Sequence, residues 1–298
     1  MSPAEIGAAP EGGEKFPPLG AHVSVAGGLA TAPGRGARIG ADVIQIFSKH
    51  NTRWAGKELE EEEARAFREE SIRVGVPTAA VHCAYLINLA SSREIVRTRS
   101  LYALEDEASR AAMLGVPYLV LHPGSSGEDP EETGEERIAE ALRAFGRLPS
   151  GVTLLLENTA GQGSSIGRSM DQIRRLVSAC GDPPDLAVCL DSAHLFESGY
   201  DIGSGEGWDR FLAELDRQDL LSLVRMWHLN DSKTPLGSRV DRHFHIGDGR
   251  IGLAGFRRIL VHPPFRELPM VLETPKDGED EFERDIRNLA VLRGLRAE

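Results

Sequence analysis

The sequence predicts an α/β protein built as a single (β/α)8 TIM barrel, and three observations predict it. Eight short apolar runs of strand type recur along the chain, longer charged amphipathic stretches separate them, and 298 residues is the size of one such barrel. No linker-like change of composition divides the chain, so one domain is expected over residues 19–298. Residues 1–18, rich in Gly, Pro, Ala and Glu and without periodicity, are expected to form a mobile N-terminal tail.

The strand-like runs begin at Leu19 (LGAHVSV), Val43 (VIQIF), Thr78 (TAAVHC), Tyr118 (YLVLH), Thr153 (TLLLEN), Leu186 (LAVCLD), Leu223 (LVRMWHLN) and Pro269 (PMVLET). Their near-continuous apolar character is that of parallel strands covered on both faces. Helical stretches are read over 58–74, 92–114, 131–147, 168–180 and 279–295, often preceded by Gly, Ser or Pro. Acidic clusters from Glu58 to Glu63 and from Glu128 to Glu136 fall where helices begin, and there they complement the helix dipole. A doubly wound open sheet would carry a phosphate-binding glycine pattern after its first strand, and the AGGLATAPG that follows Val25 matches it poorly. The stretch from Asp231 to Ile251 reads as neither helix nor strand, and a loop that long inside a compact domain is usually functional.

Composition excludes several classes. Hydrophobic residues at 41% and charged residues at 27% rule out disorder and collagen-like repeats. No apolar run reaches the roughly 18 residues of a membrane span, and the N-terminal stretch lacks a targeting pattern, so no membrane partner and a cytoplasmic location are expected. Cys83, Cys180 and Cys189 form no CxxC pair, which argues against both a disulfide framework and a thiolate zinc site. The net charge of −12 argues against a protein held to nucleic acid by bulk charge.

Chemistry gathers at the C-terminal ends of the strand-like runs, where His82, His122, Glu157, Asp191, His228 and Glu273 stand one after another. In a barrel those ends converge on the face where active sites are built. His194 follows Asp191 by three residues, and Asp241 with His243 lies in the long loop at a spacing that points both side chains the same way. Four carboxylates beside five imidazoles cannot be buried without compensating positive charge, and divalent metal supplies it. Nine such groups suffice for about three ions, and nitrogen and oxygen donors without thiolate suit zinc, manganese or iron. His22, His50, His245 and His262 are left out as ligands, with His245 equally well placed for a hydrogen bond to one.

The stretches GAHVSVAGGL, YLINLAS, LHPGS, LENTAGQGSSIG, CLDSAHLFESGYDI, HLNDSKTPLGSRVDRHFHIGDGRIG and VLETP, between residues 20 and 275, resemble the endonuclease IV family of apurinic/apyrimidinic endonucleases. The resemblance implies a TIM barrel with three Zn2+ per chain, with Mn2+ an alternative at one site. It implies that His82, His122 and a bridging Glu157 hold one ion, that Glu157, Asp191, His228 and Glu273 hold the second, and that His194, Asp241 and His243 hold the third. The implied reaction is metal-assisted hydrolysis of the phosphodiester bond 5′ to an abasic site in duplex DNA, leaving a 3′-hydroxyl and a 5′-deoxyribose phosphate. In it a hydroxide held between two zinc ions attacks the phosphorus, with Glu157 beside it as the catalytic residue. DNA with 3′-blocked ends is a further implied substrate, and a monomer is expected.

Three divalent ions would raise the net charge from −12 to −6 and leave the site itself positive. Lys49, Arg53, Lys233, Arg239 and Arg242 are then candidates for phosphate contacts from loops on the same face. By the resemblance, Tyr85 and Leu86 enter the duplex at the missing base, where flipping costs less than at an intact pair. One departure stands out. The family commonly shows Lys-Asn-x-Arg-x-Trp after the second strand, whereas this chain reads Lys49-His50-Asn51-Thr52-Arg53-Trp54, with the arginine displaced by one position.

Two other classes compete. In the related xylose-isomerase-like barrels, a set resembling Glu157, Asp191, His228 and Glu273 binds a divalent metal for proton or hydride transfer, which accounts for four of the nine residues. A non-catalytic module that recognises damaged DNA is the other.

Overall fold

Branched aliphatic residues fill the strand-like runs, and the computed structural model, which describes residues 16–278 and 280–295, closes eight of them into a parallel barrel. The expected tail over 1–18 lies outside the described residues except for 16–18. The barrel strands are β1 (Leu19–His22), β2 (Val43–Ile46), β3 (Thr78–His82), β4 (Tyr118–Leu121), β5 (Thr153–Glu157), β6 (Leu186–Asp191), β7 (Val224–His228) and β10 (Met270–Leu272). Each pairs in parallel with its neighbours in sequence, and β10 closes the ring on β1. The two short strands β8 (Asp231–Ser232) and β9 (His243–Phe244) form an antiparallel ladder inside the long loop.

Helices on the outside are α1 (Ala32–Arg38), α2 (Glu61–Val74), α3 (Glu94–Leu114), α4 (Glu131–Phe145), α5 (Met170–Ala179), α6 (Ser192–Ser198), α7 (Gly205–Arg217), α8 (Leu253–Val261) and α9 (Glu283–Gly294). Five of them match the stretches read from the sequence, with ends a few residues shorter. Acidic residues do open α2 and α4, and Gly75 and Gly115 end α2 and α3 in the left-handed conformation. α1 was hidden by Pro33, Gly34 and Gly36. Gly36 is needed there because a Cβ would stand 2.5 Å from Ile44, so its absence lets α1 lie against β2. Among the described residues no helix is long and apolar enough to cross a membrane.

The larger core lies between strands and helices, where residues such as Ile44, Val81, Leu119, Leu156, Leu190, Trp227 and Leu272 are buried. A separate apolar cluster fills the barrel itself: Val43, Ala80, Val120, Leu155, Cys189, Met226 and Val271. Side chains two apart on a strand share a face. Two residues further on come Gln45, His82, His122, Glu157, Asp191, His228 and Glu273. On β1 the same step leads from Gly20 to His22. Every barrel strand therefore carries one polar group above one apolar layer, which is how an ordinary core comes to carry a polar ring at its C-terminal end.

Gly20 completes the apolar layer where β1 approaches β2, and a Cβ there would lie 1.7 Å from the Val43 carbonyl oxygen. Because that neighbour is backbone, Gly20→Ala is expected to cost at least about 3 kcal/mol, read as a lower midpoint of urea unfolding. An unchanged midpoint would contradict this account of barrel closure.

Candidate metal centre

The polar ring and the long loop bring the sequence-derived ligand candidates into three groups. His82, His122 and Glu157 form one, Glu157, Asp191, His228 and Glu273 the second, and Asp191, His194 and His243 the third, with the donor atoms of each group within 4.8 Å of one another. Glu157 Oε2 lies 3.3 Å from His82 Nε2 and 3.0 Å from His122 Nε2, while Glu157 Oε1 lies 3.0 Å from His228 Nδ1. One carboxylate thus faces both of the first two groups. Asp191 Oδ2 stands between the other two, 4.0 Å from His228 Nδ1 and 3.7 Å from His243 Nε2. Asp241, which the resemblance assigned to the third group, sits beside it, 3.4 Å from His194 Nε2 and 3.6 Å from His243 Nε2.

Hydrogen bonds settle which imidazole nitrogens face the centre. His82 Nδ1 donates to the Cys83 carbonyl at 2.7 Å, His194 Nδ1 to that of Asn158 at 2.9 Å, and His243 Nδ1 to that of Glu273 at 3.2 Å. A carbonyl only accepts, so each neutral ring is left with a lone pair on Nε2. With both rings neutral, His194 Nε2 and His243 Nε2 face each other 3.3 Å apart as two acceptors, an arrangement that a cation between them satisfies. That separation is what two nitrogens of a tetrahedral zinc site adopt, about 3.3 Å for bonds of about 2.0–2.1 Å. The cysteines stand apart from this chemistry: burial pushes the Cys189 thiol up to about 12, and the Cys83 thiol rises well above its ordinary value for the same reason. The donor set therefore fits a divalent cation bound by nitrogen and oxygen.

The electrostatics agree. Burial alone would protonate Glu157, yet the imidazoles of His228 and His122 outweigh it and hold the carboxyl well below the usual carboxylate range. Glu273 is likewise held down, against burial, chiefly by His228. Burial pulls His194 down while Asp191, Asp241 and Glu157 raise it well above its ordinary value, and His228 rises against burial through the carboxylates of Glu273 and Glu157. The cluster is built to keep positive charge among its carboxylates, and a bound cation does this in place of protons.

Several functional neighbours escaped the sequence reading. Asn158 accepts from the Asp191 amide at 2.7 Å, and Asn230 donates to Asp191 Oδ2 at 2.6 Å while accepting from the Glu273 amide at 2.8 Å. Asp191 Oδ1 also caps α6 by accepting from the His194 amide at 2.8 Å, which couples the two residues' positions. The long loop is folded around two buried carboxylates. Asp231 accepts from the amides of Ser232, Gly247, Gly249 and Ile251, and Glu197 Oε1 accepts from Ser232 Oγ, Thr234 Oγ1 and the Arg242 amide. Gln162 Oε1 accepts from the Asp241 amide at 3.0 Å and ties the loop to the one after β5. Glu157 was found as a carboxylate ending its strand-like run; the two-residue step that sets it above Leu155 on β5 also sets Gln45 above Val43 on β2 and His22 after Gly20 on β1, and would have found both.

The rim is mixed. Arg53, Lys233, Arg239 and Arg242 are exposed, and Tyr85, 57% exposed, stands with its ring centre 5.5 Å from that of His82 and 6.1 Å from that of His122, with half-buried Leu86 beside it. Lys49 is a correction to the expected set of phosphate contacts. Its side chain is buried, with Nζ 2.5 Å from Asp106 Oδ2 and 3.6 Å from Glu107 Oε1 on α3. Arg110 donates to the carbonyls of Ser48 and Lys57 on the same loop, so Lys49 and Arg110 together pin the segment that carries Arg53 and Trp54.

Lys49→Ala would strand the buried Glu107 carboxylate, and breaking a buried pair in this way costs about 3–5 kcal/mol. A thermal midpoint within error of wild type would refute the pinning role.

The chain matches the xylose isomerase-like TIM barrel family over residues 34–293. It is 46% identical over 282 residues to a probable endonuclease 4 of Chloroflexus aurantiacus, covering 94% of this chain and 98% of that protein. The crystal structure of endonuclease IV from Thermus thermophilus superposes with a TM-score of 0.80 at 36% identity, covering 94% of this chain and 99% of that one. A 3-keto-D-glucoside 4-epimerase from E. coli shares only the fold, with 16% identity, a TM-score of 0.68, and coverage of 93% and 99%. On its sequence and its fold alike, the chain belongs to the endonuclease IV family within the xylose isomerase-like TIM barrels.

Proposed function

We propose that this protein is an abasic-site endonuclease that hydrolyses the phosphodiester bond 5′ to the lesion in duplex DNA, with three zinc ions held by His82, His122, Glu157, Asp191, His194, His228, Asp241, His243 and Glu273. The observation that carries the reading is the set of three donor groups linked through Glu157 and Asp191. An epimerase-type site needs only Glu157, Asp191, His228 and Glu273, and leaves His82, His122, His194, Asp241 and His243 without a purpose. Mn2+ at one position fits the same donors.

Bound zinc supplies Lewis-acid polarisation of the phosphate and lowers the pKa of water to about 7. The chain's own residues do the rest. Glu157 spans two donor groups and stays anionic, which supports its accepting a hydrogen bond from the water that adds to phosphorus as the bond to the preceding O3′ breaks. Tyr85 stands near the imidazoles of His82 and His122, which supports a role, with Leu86, in filling the gap of a missing base. Arg53, Lys233, Arg239 and Arg242 supply phosphate contacts on a chain whose net charge of −12 otherwise repels DNA. Arg239 adopts φ 54°, a conformation rare outside glycine, so its place at the rim is held at a conformational cost.

Purified protein of determined metal content is expected to cut a duplex at a single synthetic abasic residue, leaving a 3′-hydroxyl, and to lose that activity to a chelator. No cutting with three metals bound would favour a binding module, and no cutting with one or two would favour sugar chemistry. Glu157→Gln is expected to reduce incision more than about 100-fold, and near-normal incision would remove Glu157 from the mechanism. Binding should weaken steeply between about 50 and 200 mM salt, whereas a flat profile would refute the phosphate contacts.

A further inference from the structure

Six of the eight barrel strands deliver the ligand candidates on the polar ring, and β1 and β2 deliver His22 and Gln45. Gln45 is fully buried. One end of its amide lies 2.6 Å from Glu273 Oε1, and since a carboxylate only accepts, that end is Nε2. The other end is then Oε1, which lies 2.9 Å from His228 Nε2 and must receive a proton from it. The neutral ring of His228 therefore turns the lone pair of Nδ1 toward the centre, where Glu157 Oε1 stands at 3.0 Å and Glu273 Oε2 at 3.4 Å. The second Nε2 proton of Gln45 reaches His22 Nδ1 at 3.0 Å. That puts the His22 proton on Nε2, a buried atom with no partner among the described residues.

His228 differs from three of its companions. His82, His194 and His243 are oriented by backbone carbonyls, which no substitution removes, and face the centre through Nε2. His228 faces it through Nδ1 and is oriented by a side chain. Glu273 is split in the same way, with Oε1 tied to Gln45 and Oε2 left facing His228.

We propose that Gln45 is a positioning residue for the second donor group: it selects Nδ1 as the metal-binding nitrogen of His228 and aims Glu273 Oε2 at the same ion, so that this ion is held separately from the other two. The proposal rests on the metal reading of the site.

The test compares wild type, Gln45→Met and Gln45→Glu after zinc loading, by zinc retained per chain against a graded chelator and by the imidazole proton–nitrogen spectrum of His228. Wild type is expected to show a slowly exchanging Nε2 proton. Gln45→Met, similar in size but without hydrogen-bonding groups, is expected to lose that protection and to bind one zinc about 10–100-fold more weakly while the remaining zinc is unaffected. Gln45→Glu keeps an acceptor and is expected to retain the protected Nε2 proton. A Gln45→Met protein with wild-type zinc retention overturns the proposal, and so does a Gln45→Glu protein that loses the protected proton, which decides the matter if the methionine variant does not fold. A wild-type protein that takes up no zinc overturns the metal reading itself, and this proposal with it.

Discussion

Three carboxylates and five imidazoles meet at one largely buried end of the barrel, with Asp241 beside them, and the need to neutralise them governs the surrounding architecture. Burial acting alone favours the neutral form of a carboxylate and of an imidazole alike. Mutual attraction reverses several of those tendencies, as at Glu157 and His194. Neutral His194 and His243 would face each other with lone pairs, which a bound cation would satisfy. The hydrogen bonds from imidazole Nδ1 atoms to backbone carbonyls fit this account, since they turn Nε2 of His82, His194 and His243 toward the centre.

The barrel meets this demand through its register. Alternation along parallel strands places an apolar side chain inside and a polar one two residues later, and closure of the sheet turns eight such steps into a ring. Glycine at position 20 is part of the same geometry, because β1 passes too close to β2 for any side chain. The layer below the ring is wholly apolar, so no polar group there competes for the cation.

Loops complete what the ring begins. Asp231 and Glu197 gather backbone amides of the long loop and present Asp241 and His243 above the ring. On the loop after β2, Lys49 pairs with Asp106 and Glu107 and leaves the exposed charge there to Arg53. Buried ionic groups thus shape two separate rim segments, and the exposed cations ride on them.

Strand positions and ligand types were legible in the sequence because a strand buried on both faces needs an unbroken apolar run, and a histidine or carboxylate ending that run is conspicuous. His82, His122, Glu157, Asp191, His228 and Glu273 stood out on that ground, and the size of the chain with its repeated β-then-α order named the barrel. Short helices such as α1 and α6 were not legible, since tertiary packing outweighs the low propensity of Gly36 and makes Asp191 both a cap and a candidate ligand. Sequence could not show that Lys49 turns inward, because the carboxylates that claim it lie on a helix 57 and 58 residues away. Nor could it single out Gln45, a residue type without conspicuous chemistry, whose meaning comes only from the two side chains that barrel closure brings to either end of its amide. Local pattern determines which residues face inward. Only closure of the barrel decides which of them meet, because hydrogen bonds and charge interactions act over a few ångströms and take no account of distance along the chain.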